Sequence, residues 1–564
     1  MPSRRLLPRH RGRLSALAIA ILGAALLSGT LVVPAIAGAP VDYPEADAGY
    51  HSYAELRDEI LALEAAHEDI LDISSIGESV EGRPIYIAKI SDDVDGPVQA
   101  GEAEVLFDGM HHAREHLTVE MTLHLLHLLV GRYGEDGELA ERVTAIVDGR
   151  VTWIVFMLNP DGWVYDLTAP AAKRVYGPDG EDFYAGWRKN RSDLDGTDAM
   201  GIDLNRNYDY RWGCCGGSSG SPYALTYRGP APWTAPEVRA LRDFVNGRVI
   251  DGRQRITAHI TFHTSGEEIL YPYGYTRTDV PSDMTLLDHR TFVALAGAMA
   301  ERNGYTPKQS SGLYVTDGDQ IDWMYGRHRI FSFTFEMYPT SRQMPGTDRF
   351  YPPDERIEEE TRRNRDAVLH LLETADCPYR AIGAAALWCG PLFDDLEIDR
   401  GWTVDPDGTD DATAGRWARG VPAGSSHQLA SAPSGRSVLV TGRAHDVDVD
   451  GGTTTVRSPL FRLPDGKTST LRLRYWIGLS AAAGSADGFT VRLVDDAGAA
   501  IGAPLLRMTG TGAMQRPAWR TLTVTLPGTA AGTRVAIELS ARDDVADGGA
   551  TVEAGVDTVR VTAR

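Results

Sequence analysis

The chain has 564 residues, 43% of them hydrophobic, and a formal charge of -22. That length allows about two to four globular units, and that charge argues against a nucleic-acid or anionic-membrane surface. Its four cysteines, Cys214, Cys215, Cys377 and Cys389, suit an oxidising compartment. Arg4, Arg5, Arg9, Arg11 and Arg13 precede the apolar run "LSALAIAILGAALL" and the small residues Ala35 to Ala37. This order reads as a signal peptide over residues 1–37 and predicts a secreted protein. No later segment is apolar enough to span a bilayer. Residues 38–391 hold most of the acidity and alternate apolar runs with amphipathic segments, as an α/β fold requires. "RPIYIAKI", "EVLFDG", "VTWIVFML", "RITAHITF" and "IFSFTFEM" read as buried strands. "HLTVEMTLHLLHLL", "APEVRALRDFVN", "LLDHRTFVALAGAMAERN" and "RIEEETRRNRDAVLHLLETA" read as helices. Thr234 and Glu237 have capping-box spacing before the second of these. His124 and His127 are expected to be core or flank residues of an amphipathic helix.

From about residue 392 the texture changes to short runs such as "LRLRYWIGL", "FTVRLVD", "RVAIELSA" and "VDTVRVTA", separated by Gly, Asp and Pro. The spacing predicts a second, all-β unit over 392–564, a jelly-roll-like sandwich. "DPDGTDD" and "DVDVDGG" offer oxygen ligands for Ca2+, but neither completes an EF-hand pattern, and solvated turns explain them at least as well. Four cysteines allow three pairings. The short loop from Cys377 to Cys389 closes easily, which leaves Cys214 to its neighbour Cys215.

The stretch "GMHHAREH", residues 109–116, crowds His111, His112 and His116 around Glu115 directly after a strand. Catalytic zinc takes about three protein ligands from His, Glu or Asp and leaves a position for water. His112 with Glu115, His112 with His116, or His111 with Glu115 could each share an ion, and spacing alone leaves the choice open. A further ligand is expected at a strand end, where α/β sheets place their sites, and "AHITFHTSG" offers His263 there. HExxH and paired CxxC signatures are absent from the chain.

"HARE", "NPDG", "WRKNRS", "GIDLNRNYD", "HTSGEEILYPYGY", "LYVTDGDQIDW" and "SFTFE" follow one another in the order found in the M14 zinc carboxypeptidases. From about residue 50 to 376 the chain resembles that family, the carboxypeptidase A/B and bacterial carboxypeptidase T kind. The resemblance implies a mixed sheet flanked by helices, one Zn2+ held by His112, Glu115 and His263, and hydrolysis of the C-terminal residue of peptides and proteins. It also implies that Glu336 is the general base for the water at zinc and that Arg188 stabilises the oxyanion. Asn205 and Arg206 would hold the substrate's terminal carboxylate, and Tyr314 would close over it. The long pro-domain of many members is expected to be missing, because "DYPEADAGYHSYAEL" resembles the start of a mature catalytic unit.

The same resemblance puts Leu270, Gly274, Leu313, Thr316, Asp319 and Ile321 at the pocket for the departing side chain. Ile321 suggests an apolar preference, whereas Asp319 could pair with Lys or Arg and give dual specificity. Asp319 could equally cap the turn in "TDGDQ". A peptidoglycan-directed peptidase, or an adhesion protein with a vestigial peptidase unit, are the competing readings. The intact "NRN" and "IDW" segments weigh against the first, and the complete set of ligands with Glu336 weighs against the second.

Overall fold

The computed structural model describes residues 41–96, 102–177, 182–194, 199–250, 253–346, 348–385, 389–397, 399–445, 447–544 and 549–564. The expected signal peptide lies outside them. The first helix, α1 (Tyr53–Ala66), begins at a complete capping box, in which the Ser52 side chain accepts from Glu55 N while the Glu55 carboxylate accepts from Ser52 N. There follow β1 (Leu71–Glu78), β2 (Pro84–Ile90), β3 (Ala103–Gly109), α2 (Leu117–Arg132), α3 (Glu138–Val147), β4 (Arg150–Val155), α4 (Pro160–Thr168) and α5 (Pro236–Gly247). A small hairpin joins β5 (Val249–Ile250) to β6 (Arg253–Gln254). The unit continues with β7 (Ile256–Thr264), β8 (Glu268–Tyr271), α6 (Leu286–Asn303), β9 (Thr306–Gln309), α7 (Gln320–His328), β10 (Phe331–Met337) and α8 (Ile357–Thr374).

Eight of these strands form one sheet in the order β1-β2-β4-β3-β7-β10-β8-β9. Its centre is parallel and its β1, β2 side antiparallel, so the sheet is mixed, as expected. Every residue of β3 is buried and nearly all of β7. That suits near-continuous apolar runs covered on both faces by helices. The carboxyl ends of β3, β7 and β10 open side by side, which is where a parallel sheet leaves room for a site.

Strands β11 (Leu392–Asp394), β12 (Thr403–Val404), β13 (Trp417–Gly420), β14 (Val438–Thr441), β15 (Gly452–Arg457), β16 (Phe461–Arg462), β17 (Ser469–Leu479), β18 (Gly488–Asp495), β19 (Leu506–Thr509), β20 (Arg520–Thr525), β21 (Arg534–Asp543) and β22 (Val552–Ala563) make two antiparallel sheets. The inward positions alternate along them, as in β15, and gather a hydrophobic cluster from Leu392 to Val561 separate from the one spanning Tyr43 to Ala375. In "DPDGTDD" the carboxylates serve turns: Asp405 accepts from Asp410 N at 3.0 Å, Asp411 from Thr453 N at 2.7 Å, and Asp407 pairs with Arg457. Cys377 bonds Cys389 with Cα atoms 5.6 Å apart, and Cys214 bonds Cys215.

The expected capping box at Thr234 does not form. Ala235 is the N-cap of α5 and Pro236 its first residue, while the Thr234 hydroxyl donates backwards to Ala231 O. Asn207 Oδ1 accepts from Ala235 N and fixes the entry of the chain. Glu237 is thereby turned inward, where it accepts from Asn190 Nδ2 at 2.9 Å and Val80 N at 3.2 Å. Burial pushes its carboxyl up to about 7 from an ordinary 4.5. A group raised in the folded state contributes its stability below the unfolded pKa and loses it as pH rises through the folded one. Glu237→Gln should therefore gain on wild type between pH 5 and 8, by as much as about 3 kcal/mol. Thermal unfolding of both proteins across that range checks this, and parallel pH profiles would refute it.

Candidate active site

Gly109 ends β3 at a point where a Cβ would lie 2.8 Å from Thr118 O, and Met110 follows with φ of 56°. The chain so turned brings His112 and Glu115 under the amino end of α2, while β7, parallel to β3, carries His263 as its last residue but one. His112 Nδ1 lies 2.8 Å from Glu115 Oε1, His263 Nδ1 2.9 Å from Glu115 Oε2, and the two Nδ1 atoms are 3.1 Å apart. All three side chains are buried, and among the described residues they are the one such trio of His, Cys, Asp or Glu.

The neighbouring histidines are occupied elsewhere. His111 Nε2 meets the Tyr208 hydroxyl at 2.9 Å, and His116 Nε2 meets Asp166 at 3.1 Å. Of the pairings the spacing left open, the structure brings together His112 with Glu115. His112 Nε2 faces Asp203 Oδ1 at 3.2 Å. A carboxylate only accepts, so Nε2 donates to Asp203, and Nδ1 is the ring atom that would face a metal ion. It points at a carboxylate and a second imidazole nitrogen, an arrangement that suits a cation. Donors of a tetrahedral zinc at ~2.0–2.1 Å stand about 3.3 Å apart, close to the spacing here.

Glu336, on β10, is in register with His263 on one side and Glu268 on the other. Desolvation in the cleft, and then the Glu115 carboxylate, push Glu336 up to about 8. Arg188 donates from Nε to Asp203 Oδ2 at 3.1 Å and brings Nη1 to 3.9 Å from Glu115. Burial alone would raise Asp203, but Arg188 and His112 outweigh it and hold the carboxyl well below the usual range. Asp203 also caps the short turn Leu204–Arg206 by accepting from Asn205 N at 3.1 Å. Arg206, 1% exposed, donates from Nε to Gly217 O at 3.2 Å and from Nη1 to Asn205 O, whereas its buried Nη2 has no partner. Tyr314, 47% exposed, places its ring centroid 5.9 Å from the Arg206 guanidinium. Arg188, Asn205, Arg206 and Tyr314, with His112, Glu115 and Glu336, line one cavity of about 520 Å³.

A family profile described as zinc carboxypeptidase matches residues 56–367, more than half of the chain. The chain belongs to the zinc carboxypeptidase family. The zinc carboxypeptidase of Saccharothrix mutabilis subsp. capreolus is 40% identical over 351 residues, 61% of this chain and 73% of that protein. Carboxypeptidase A1 of Sus scrofa is 32% identical over 300 residues, and this chain spans 64% of its length, just under two thirds. Among solved structures, that of thrombin activatable fibrinolysis inhibitor is 26% identical, with a TM-score of 0.49 over 59% of this chain and 77% of that one. Carboxypeptidase A from Helicoverpa armigera is also 26% identical, with a TM-score of 0.48 over 60% of this chain and 74% of that one.

In this zinc carboxypeptidase the expected pocket residues fall into two groups. Leu270, Leu313, Thr316, Asp319 and Ile321 line the cavity. Gly274 stands behind them: a Cβ there would lie 2.0 Å from Thr316 Oγ1 and 2.7 Å from Asp319 Oδ2. Asp319 fills the capping role and also lies on the cavity. It caps α7 by accepting from Asp322 N at 2.9 Å, accepts from the Thr316 hydroxyl, and still faces the cavity. Sequence reasoning missed Asp203 and Asp322. Asp322 accepts from Gly274 N at 2.8 Å and Tyr275 N at 3.0 Å and so holds the pocket's back wall. Asp203 had one legible signal, its place two residues before Asn205 in "GIDLNRN". Asp317 was likewise unread: it accepts from Gly213, Cys215 and Gly217 N and fixes the loop whose Gly217 carbonyl holds Arg206.

Proposed function

We infer that the chain is an exported metallocarboxypeptidase that removes single residues from the C-terminal ends of peptides and proteins. The observation that carries this reading is the unpartnered Nη2 of Arg206, a buried cation's free donor on a residue that lines the same cavity as His112, Glu115 and Glu336. A terminal carboxylate supplies the acceptor that the guanidinium lacks. Zinc held by the trio would supply Lewis-acid polarisation of the scissile carbonyl and a water acidic toward pKa ~7. Glu336 takes the proton of the attacking water and returns it to the leaving amine nitrogen. Arg188, fixed by Asp203, donates to the developing oxyanion. Asn205 and Arg206 orient the carboxylate, and Tyr314 closes over the bound end. Export rests on the arginine-led apolar segment before Ala37 and on the two disulfides. The β-strands from Leu392 onward form an accessory unit, with the boundary near residue 392. The test is a peptide mixture digested with and without a chelator and read by mass spectrometry. Chelator-sensitive loss of residues from the carboxyl end is expected; trimming from the amino end would overturn the reading.

The pocket supports dual specificity, because Leu270 and Ile321 offer apolar walls while Asp319 offers a buried carboxylate. Asp319→Ala should lower release of C-terminal Lys and Arg relative to Phe and Leu by roughly 10- to 100-fold, the worth of a charged hydrogen bond. An unchanged ratio would reduce Asp319 to the cap of α7.

A further inference from the structure

The loop that steadies Arg206 carries a disulfide between neighbouring residues. Cys214 and Cys215 are bonded to each other and both are exposed, whereas Cys377 of the other disulfide is buried. The small ring they close fixes the peptide between them and limits the conformations open to the loop. One buried carboxylate gathers that loop: Asp317 accepts from Gly213 N at 3.2 Å, Cys215 N at 3.1 Å, Gly217 N at 2.8 Å and the Ser218 hydroxyl. Gly217 in turn gives its carbonyl to Arg206 Nε at 3.2 Å, and it lies so close to the pocket segment that a Cβ there would stand 2.3 Å from Thr316 C. Sulfur, Asp317 and the guanidinium therefore form one chain of contacts, with the disulfide at its solvent end.

We propose that the Cys214–Cys215 disulfide positions Arg206 and acts as a redox switch on the grip of the substrate's terminal carboxylate. The inference rests on the carboxypeptidase reading. Access governs thiol–disulfide exchange, and here both sulfurs belong to exposed residues. A dithiol outside the cell attacks one Sγ through its thiolate, the S–S bond breaks, and the other Sγ leaves as a thiolate. The second thiol of the reductant resolves the mixed disulfide: two electrons pass to the protein, the reductant departs as a disulfide, and both cysteines take up the protons it gave. Without the ring, residues 213–217 regain backbone entropy, which the hydrogen bonds to Asp317 then oppose alone. The Gly217 carbonyl is held less firmly, and so is the Arg206 fork. The metal trio is untouched, because His112, Glu115 and His263 bond to one another and to Asp203 rather than to this loop.

The test reduces the folded, zinc-loaded full chain with dithiothreitol, removes the reagent, and restores equal zinc content before assay. Iodoacetamide labelling of a parallel sample, read by mass spectrometry, identifies which cysteines opened. The readout is the ratio of kcat/KM on free-acid and amidated forms of one short peptide. Labelling at Cys214 and Cys215 should accompany a fall in that ratio of roughly 10-fold, carried by KM on the free acid with kcat little changed. Reoxidation with oxidised glutathione should restore it. The double variant Cys214→Ser with Cys215→Ser should show the lowered ratio from the start and ignore the reductant, which separates this disulfide from Cys377–Cys389. Cysteines 214 and 215 that resist labelling in the folded protein, a ratio unmoved when they are labelled, or a wild-type ratio in the double variant would each overturn the proposal. Untreated protein that fails to release the C-terminal residue of the free-acid peptide would overturn the carboxypeptidase reading and this inference with it.

Discussion

Glu336→Gln is expected to lower turnover by about 10²- to 10⁴-fold, the usual worth of a positioned acid–base group, while zinc stays bound in stoichiometric amount. The amide occupies the same place beside His263 in the β10–β7 register, so the trio keeps its shape. What disappears is the capacity to accept a proton from the attacking water and hand it to the leaving nitrogen. Burial raises this carboxyl above the ordinary glutamate range, which favours acceptance of a proton from the attacking water. Metal content by elemental analysis, with kcat on a short peptide, checks both halves. Near-normal turnover would mean the proton moves by another route, and lost zinc would mean Glu336 supports the metal site.

Arg206→Ala should cost about 10²-fold or more in kcat/KM on peptides with a free carboxylate, with a much smaller effect on amidated ones. The difference between the two substrate classes isolates the anchor, because the amide lacks the charge the guanidinium would meet. Arg206 also supports the fold, since its Nε and Nη1 hold the carbonyls of Gly217 and Asn205. Arg206→Lys separates the two roles: it keeps a charge but loses the fork, and should recover only part of the lost discrimination. Equal losses on free and amidated peptides in both variants would assign Arg206 to structure alone.

How much of this was legible in the chain depended on how far each residue acts. The central strands were readable because β3 and nearly all of β7 are buried and carry short apolar runs rich in Val, Ile, Leu and Phe. The sandwich was readable because its strands alternate inward and outward over short, turn-bounded runs. The histidine run was readable as metal chemistry but not as a ligand set. The choice among His111, His112 and His116 is made by partners distant in sequence, namely Tyr208, Asp203 and Asp166. The motif at Thr234 failed for the same reason. Its spacing was right, yet Pro236 and the Asn207 side chain decide where α5 begins. Asp319 resisted a single reading because local sequence describes only the cap, whereas the fold also sets the residue on the cavity.

Asp203 joins three parts of the site in one carboxylate, touching His112, Arg188 and the turn that carries Asn205 and Arg206. Effects of substitutions at those positions should therefore fail to add. The consequence reaches the history available to such a cleft. A lineage that altered how it grips the end of a peptide would disturb, through the same atom pair, the ring that holds its metal. Divergence toward new substrates then has freer room on surfaces that Asp203 does not touch, such as the floor around Asp319, where single changes can be tried without loosening the machinery that cuts.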